Sequence, residues 1–155
     1  MDQDKASFIQ TTFPEWISHL PADTTPIWGK MNVQQMVEHV TGFFKVSTDQ
    51  LRFPMVTPEE HLPKFKEFLL SDKQFRENTK APVLPEEPLP VKEPDLTTAK
   101  TRLKEAIENF FAFYALHPDQ KIAHPVFGPL NFEEWILLHY KHVTHHARQF
   151  GLLPR

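Results

Sequence analysis

Prolines are concentrated in the middle of this chain and limit what can fold there. Five of the fifteen prolines lie between Pro82 and Pro94, in the sequence APVLPEEPLPVKEPD. Proline lacks an amide hydrogen and fixes its own backbone angle, so this spacing excludes a helix and an internal strand. We therefore expect residues 71–94 to form a long irregular crossover inside a single domain, residues 1–155, because neither half alone could form much core.

Apolar residues recur at helical spacing on both sides of this crossover. Main helices are predicted at residues 4–20, 32–47, 96–116 and 131–151, with a shorter helix at residues 58–70. Pro14 should kink or divide the first helix, and Asn32 is placed to cap the second. Asn131 with Glu134 resembles a capping box, and Gly151 suits the position just after the last helix. No period-2 strand stands out, so the expected fold is an all-α four-helix bundle.

Charge and composition restrict the partners. The net charge is −3, and charges of both signs are mixed along the chain, so we expect no binding to nucleic acid or to membranes. The chain contains no cysteine, which excludes disulfides, thiolate ligands and a catalytic cysteine, and fits a cytoplasmic location. The first residues do not resemble a signal peptide, and no apolar stretch approaches membrane-spanning length.

Histidines cluster on the last predicted helix. Four of the nine histidines fall within eight residues, at His139, His142, His145 and His146. Because a helix advances about 100° per residue, His142 and His146 share one face, and His139 lies between them in angle one turn earlier. This face borders the apolar stripe of the helix. His145 points towards the side of Lys141 and Arg148, and we expect it to be exposed.

A pair of imidazoles four residues apart can bind one divalent ion, because a helical turn brings their nitrogens near a common point. A third ligand must come from another helix, and His39 on the second helix is a candidate at the border of its apolar face. His145 is the rival ligand. Such a pair on an arbitrary helix is a weak signal, since histidines often lie at the edge of an amphipathic face.

Several neighbours have two interpretations each. His139 is a candidate catalytic acid or base, or a fourth ligand, although packing at the core edge also explains it. Gln149 either orients a ligand imidazole or is a half-exposed amide. Asn32 and Gln35 either reach the pocket or are solvated, and Trp135 and Trp28 are core residues or pocket wall. His124 is expected to fix the loop before the last helix. The crossover either forms a lid or simply connects the two parts of the chain, and we favour the simple connection.

Two segments carry a resemblance to a known family. HPVFGPLNFEEWILLHYKHVTHHARQFG, residues 124–151, resembles the C-terminal signature of the DinB/YfiT-like superfamily, and PIWGKMNVQQMVEHV, residues 26–40, resembles its second-helix motif. The chain is especially similar to a bacterial branch with the pattern HPxFGxL, EEW and HxxHHxRQF. Where most DinB-like domains read HxxHHxGQ, this chain has Ala147 and Arg148 before Gln149, as the branch does.

The resemblance implies a four-helix bundle that holds a divalent metal ion through His39, His142 and His146. An all-imidazole site suits zinc or nickel, with iron as a further option. The family includes metal-dependent thiol transferases and an isomerase that use low-molecular-weight thiols. It therefore implies S-transfer to a small-molecule substrate, or hydrolysis by an activated water, with any thiol arriving from solution.

A second class of function stays open from the sequence. The chain could be a non-catalytic bundle that binds a metal or small ligand, or that forms a homodimer. Leu137 and Leu138 lie away from the main apolar stripe of the last helix, so they are candidates for a dimer contact. They could also pack against the crossover. The sequence does not identify the substrate.

Overall fold

The computed structural model describes residues 2–79 and 81–155, and most of the ordered elements are helices. Helix α1 consists of Gln3–Ser7, the π-helical turn Phe8–Thr12 and Phe13–Ser18, and α2 is Val33–Ser47. The 3₁₀ turn Glu59–His61 leads into α3, Leu62–Leu70, and α4 is Leu96–Leu116. Strands β1, Ile122–His124, and β2, Gly128–Leu130, precede α5, Phe132–Gln149. The five predicted helices are confirmed. No helix within the described residues is long and apolar enough to cross a membrane.

The helices begin where capping side chains occur. The Asn32 side chain accepts a hydrogen bond from the Gln35 amide at 2.8 Å, and the Gln35 side chain accepts one from the Asn32 amide at 2.9 Å. Asn131 and Glu134 form the same reciprocal pair at the start of α5. Both pairs satisfy amide groups that lack a partner inside the helix, which fixes the first residue of each helix. The capping predicted from the sequence is confirmed.

Helix α5 ends at a glycine in the left-handed region. Gly151 has φ +77°, a conformation that residues with a Cβ adopt at a cost. The Leu152 amide donates to the Ala147 carbonyl at 2.7 Å, and the Gly151 amide donates to Arg148 at 3.1 Å. These two bonds are those of a Schellman motif, which satisfies the last carbonyls of the helix.

Pro14 divides α1 without ending it. The proline stands in the first turn of Phe13–Ser18, directly after the π-helical turn Phe8–Thr12. A proline inside an α-helix removes one hydrogen bond and clashes with the carbonyl four residues earlier. The wider π turn accommodates the ring while the helix axis continues. The predicted division therefore takes the form of a local change in helix type.

The core lies where the helical stripes meet. Helix α2 packs along α4, and α5 contacts α1, α2 and α3. The largest fully buried side chains come from all four main helices and include Trp135, Phe13, Phe44, Phe110 and Met36. This arrangement brings the middle of α2 against the second half of α5, the two segments that carry the candidate ligands.

A short β-hairpin was missed by the sequence prediction of an all-α fold. Strands β1 and β2 pair antiparallel, with Ile122 opposite Leu130 and His124 opposite Gly128. Each strand has three residues, too few for a period-2 pattern, and Gly128 and Pro129 are residues that normally argue against a strand. The hairpin positions the loop before α5, and the Trp135 indole donates to the Ile122 carbonyl at 3.1 Å.

The crossover is irregular, as predicted, in residues 71–79 and 81–94. It is attached to the polar face of α2. The Glu38 carboxylate accepts from the amides of Lys92 at 2.7 Å and Glu93 at 3.2 Å, and the Gln35 side chain donates to the Leu89 carbonyl at 3.1 Å. At its start, the Lys141 ammonium donates to the Ser71 carbonyl at 2.8 Å. These bonds fix the crossover beside both helices.

Candidate metal centre

Three histidine rings converge between α2 and α5. His39 lies in α2, and His142 and His146 are one turn apart on α5. The Nε2 atom of His142 is 2.9 Å from Nε2 of His39 and 3.1 Å from Nε2 of His146. The three ring centroids are 4.7 to 4.9 Å apart. The structure thus brings together the three residues that spacing and resemblance indicated.

Their donor set suits a metal ion. Among the described residues, these three histidines form the one group of three or more histidine, aspartate or glutamate residues whose donor atoms lie within 4.8 Å of one another. Adjacent donors on a tetrahedral zinc ion are about 3.3 Å apart. The observed separations are close to that value, so small side-chain adjustments would let all three nitrogens share one ion.

Gln149 fixes the orientation of one of these rings. Its Oε1 is 2.7 Å from Nδ1 of His146, and its Nε2 donates to the Trp28 carbonyl at 3.1 Å. Because the amide nitrogen is used by Trp28, the oxygen must accept a proton from His146 Nδ1. The Nε2 atom of His146 therefore presents a lone pair to its neighbours. The predicted orienting role of Gln149 has a direct geometric basis.

This proton arrangement leaves one short contact without a hydrogen bond. Nε2 of His142 has two nitrogen neighbours, and His146 Nε2 carries no proton. With neutral rings, a single proton can satisfy only one of the contacts to His39 and His146. The other contact then has either two lone pairs facing each other or a proton aimed elsewhere, and neither arrangement is a good hydrogen bond. A cation shared by the three lone pairs removes that conflict, because each lone pair then points at a positive charge.

Burial keeps the three rings neutral. Loss of solvent, and to a smaller extent the neighbouring His145, lower the pKa of His39 to about 4. The pKa values of His142 and His146 are held well below their usual range by burial first and by the neighbouring imidazoles second. The neutral imidazole is the form that donates a lone pair to a metal, so the site is prepared for binding at neutral pH.

An aromatic ring borders the three imidazoles on α2. Phe43, one turn after His39, has its centroid 5.3 Å from that ring and 5.2 Å from His142. It also stacks on His124 at 5.8 Å. Phe43 therefore limits solvent access to the ligand rings on this side. Its spacing of four residues from His39 was a signal that sequence reasoning could have used.

His139 has partners that account for it inside the core. It is 1% exposed, and its Nε2 lies 2.9 Å from the Ser47 hydroxyl oxygen. The ring stacks on Phe44 at 3.9 Å and on Trp135 at 5.3 Å. Burial holds its pKa well below the usual range, which makes it a weak base. The acid/base role stays a prediction, and these contacts favour the packing interpretation.

The prediction that His145 is exposed is wrong. His145 is 5% exposed, with its ring centroid 5.4 Å from Trp28 and 6.0 Å from Phe75 of the crossover. Burial and the Arg148 charge lower its pKa to about 4. Helical angle alone could not reveal this, since the crossover covers that side of α5. His145 is also outside the group of converging donors.

The remaining predicted residues have structural partners. Asn32 and Gln35 cap α2, and Gln35 also lines the space beside the histidines. Trp135 is fully buried and Trp28 is 8% exposed, and both border the same space. The His124 Nδ1 accepts from the Val126 amide at 3.0 Å, so the prediction that it fixes its loop is confirmed.

The dimer contact loses part of its basis. Leu138 is 4% exposed and belongs to the core, while Leu137 is partly buried against it. Neither side chain forms a free apolar surface of the kind that a dimer interface requires. The apolar stripe predicted for this helix from helical angle was too narrow, because α5 is covered on more than one side.

Fold and site together define a mostly helical protein with a three-histidine group between two helices. The DinB superfamily model matches residues 12–150, so the chain belongs to the DinB superfamily. This match confirms the resemblance to the superfamily, and the resemblance to the bacterial branch stays a prediction. No curated protein and no solved structure matches the chain significantly.

Proposed function

We propose that this protein is a metal-dependent enzyme in which His39, His142 and His146 hold a divalent ion. The observation that supports the proposal is the convergence of three Nε2 atoms that cannot all be satisfied by hydrogen bonds to one another. A divalent ion held by three neutral imidazoles lowers the pKa of a bound thiol or water, so S-transfer and hydrolysis are the two reaction types.

The chain's own residues supply positioning and exclusion of water. Gln149 holds the His146 ring by a bond of 2.7 Å and is itself held by the Trp28 carbonyl. Orienting partners of this kind commonly change metal affinity by about 10- to 100-fold. Phe43 covers the ligand rings on one side. In S-transfer, a thiol from solution would form a bond to an electrophilic carbon while the leaving group departs and the thiol proton goes to solvent.

We also infer that α1, α2, α4 and α5 form the four-helix bundle expected of this superfamily. The packing of α2 on α4, and of α5 on both α1 and α2, supports that arrangement. Zinc and nickel are the proposed metals, with iron as a further option, because all three ligands are imidazoles. The family match supports a metal-associated role without naming a reaction.

The test compares metal-stripped protein with protein reloaded with zinc or nickel. Two reactions are followed: conjugation of a small thiol to 1-chloro-2,4-dinitrobenzene, and hydrolysis of p-nitrophenyl acetate. We expect turnover of one of them only in the reloaded protein, with loss in His146→Ala. His19→Ala is the matched control, because the His19 side chain is exposed and its ring contacts the exposed carboxylate of Glu15.

Two outcomes would count against the enzyme. Stoichiometric metal with no turnover in either reaction would favour a non-catalytic metal-binding protein. Failure to bind metal after reloading would remove the basis of the proposal, whichever reaction is followed.

A further inference from the structure

The three histidines line a cavity much larger than a metal ion and a water molecule need. Its volume is about 1370 Å³, and its walls come from α2, α3, α5, the β-hairpin loop and the crossover. Pockets for drug-sized ligands measure about 300–1000 Å³. A water molecule or a small thiol alone would leave most of this space solvated, so the cavity has room for a larger organic molecule.

The wall nearest the histidines is aromatic. Phe43 stacks on Phe53 at 6.3 Å, and Phe65 meets Phe127 edge to face at 5.7 Å. All four rings line the cavity. Flat, rigid rings contribute a large apolar contact area at low cost in side-chain entropy. This wall therefore favours an apolar or aromatic ligand body.

Apolar side chains also stand exposed around the cavity. Leu51, Val56 and Leu89 are 39%, 44% and 48% exposed, and all three line it. Leu89 belongs to the crossover, which is attached to α2 through Gln35. Exposed apolar groups around one opening indicate a surface that gains from being covered by an apolar molecule.

The charged groups around the cavity are unbalanced in sign. The lining contains five cationic side chains, Lys30, Lys64, Lys73, Arg76 and Lys92, and three carboxylates, Glu38, Glu86 and Glu87. Glu87 pairs with Lys30, and Glu38 accepts the two crossover amides. The chain as a whole carries −3, so the positive excess here is local. Such an excess attracts an anionic ligand.

A buried polar atom without a partner lies in the same cavity wall. Within the described residues, Nδ1 of His145 has no hydrogen-bond partner. His145 lines the cavity next to His146. This nitrogen has almost no accessible surface, so the imidazole of His145 forms part of the wall and offers no direct contact to a ligand.

We propose that the cavity binds an amphipathic organic anion as the substrate of the metal centre. The apolar body lies between the Phe43–Phe53 wall and Leu89 of the crossover, and the acidic group lies among the lysines. The polar reacting group faces the three histidines. The claim that this ligand is a substrate rests on the proposed function, whereas the chemical class of the ligand rests on the cavity alone.

The test uses 8-anilinonaphthalene-1-sulfonate fluorescence in the intact protein, with displacement by dodecanoate and by dodecyltrimethylammonium. The two displacers share a chain length and differ in the sign of the head group. We expect dodecanoate to displace the dye at about tenfold or more lower concentration, since the cavity lining is cationic. Equal potency of the two, or no dye binding, would overturn the proposal.

Matched variants locate the binding. Leu89→Glu places a carboxylate in the crossover wall, while Leu116→Glu makes the same change on an exposed leucine of α4 that does not line the cavity. We expect Leu89→Glu to weaken dodecanoate binding by about tenfold or more and Leu116→Glu to leave it unchanged. Equal effects of the two variants would contradict binding in the cavity. Lys64→Glu reverses a charge in the cavity lining, and Lys104→Glu makes the same change on an exposed residue of α4 that does not line the cavity. We expect only Lys64→Glu to weaken dodecanoate binding.

A further arm separates this inference from the proposed function. His142→Ala should lose metal and keep dodecanoate binding, because the aromatic wall and the lysines remain. If the unmodified protein binds metal but does not bind dodecanoate, the proposed substrate class is wrong and the proposed metal centre is unaffected. Dodecanoate binding without metal in the parent would overturn the proposed function while the ligand chemistry held.

Discussion

Two groups of imidazoles on the same helix differ in their partners. On α5, His139 lies about one turn before His142, and His142 lies one turn before His146. Burial lowers the pKa values of all three. His139 is enclosed by aromatic rings and is bonded to the Ser47 hydroxyl. The other two face His39 with nitrogens that cannot all be satisfied.

The difference shows that burial and a shifted pKa do not by themselves mark a functional histidine. Counting hydrogen-bond partners separates the two groups. The Ser47 hydroxyl donates to the Phe44 carbonyl at 2.7 Å, so it accepts from His139 Nε2, and this contact has one defined donor and one defined acceptor. The three converging nitrogens form an incomplete set, and a cation completes it.

Removing one of the metal-binding histidines should have the largest effect, and that effect should be on the metal content of the protein. In His142→Ala we expect metal content to fall from about one ion per chain to near zero at equimolar zinc, because two imidazoles rarely retain an ion. His139→Asn should keep its metal. Elemental analysis after gel filtration measures both. Equal loss in the two variants would mean that the two groups of histidines do not differ in kind.

Removing the core histidine should act on stability. His139→Ala leaves a void between Phe44 and Trp135 and removes the bond to Ser47, so we expect a loss of about 3 kcal/mol in the free energy of unfolding. Urea denaturation of the metal-free protein measures it. The exposed control His19→Ala should change stability by less than about 0.5 kcal/mol. Similar values for both variants would contradict the core role of His139.

Gln149 tests whether orientation contributes to the metal site. Gln149→Leu keeps the side-chain size but frees the His146 ring, and we expect zinc affinity to fall by about 10- to 100-fold. Gly29→Ala is a milder version, because its Cβ would lie 3.0 Å from the Gln149 amide nitrogen at a φ of +79°. Competition with a chromophoric chelator gives both affinities. Unchanged affinity in Gln149→Leu would show that the ring needs no support.

The buried histidines also predict a pH dependence of stability. Burial lowers the pKa of His124 to about 3, against about 6.5 in an unfolded chain. As the pH falls below about 6.5, His124 becomes protonated in the unfolded chain but stays neutral in the folded chain. Its contribution to the free energy of unfolding is therefore lost on acidification and is fully present above that pH.

The measurement is the urea midpoint of metal-free protein between pH 7.5 and pH 5. His124→Asn should make this dependence shallower, since it removes one group whose pKa differs between the two states. A midpoint that stays constant or rises as the pH falls would contradict the sign.

The sequence predicted those parts of the fold that depend on local spacing. Asn32 with Gln35 and Asn131 with Glu134 mark two helix starts, and Gly151 marks an end, because capping depends on residues three or four apart. His142 and His146 were paired for the same reason. The β-hairpin was missed because its three-residue strands form through pairing with each other and carry no periodicity.

What the sequence could not supply came from contacts between distant segments. His145 was predicted to be exposed, yet Phe75 of the crossover and Trp28 cover it. The support of Gln149 comes from a backbone carbonyl, that of Trp28, which no side-chain pattern reveals. Helical angle indicates which face a residue occupies, but only the tertiary packing decides what lies against that face.

X-ray absorption spectroscopy of the zinc-loaded protein tests the central claim most directly. We expect a first shell that contains three imidazole nitrogens at about 2.0–2.1 Å. In His142→Ala, any zinc that still binds should show two. A parent spectrum with oxygen ligands only, or an unchanged number of imidazoles in His142→Ala, would contradict the shared site of His39, His142 and His146.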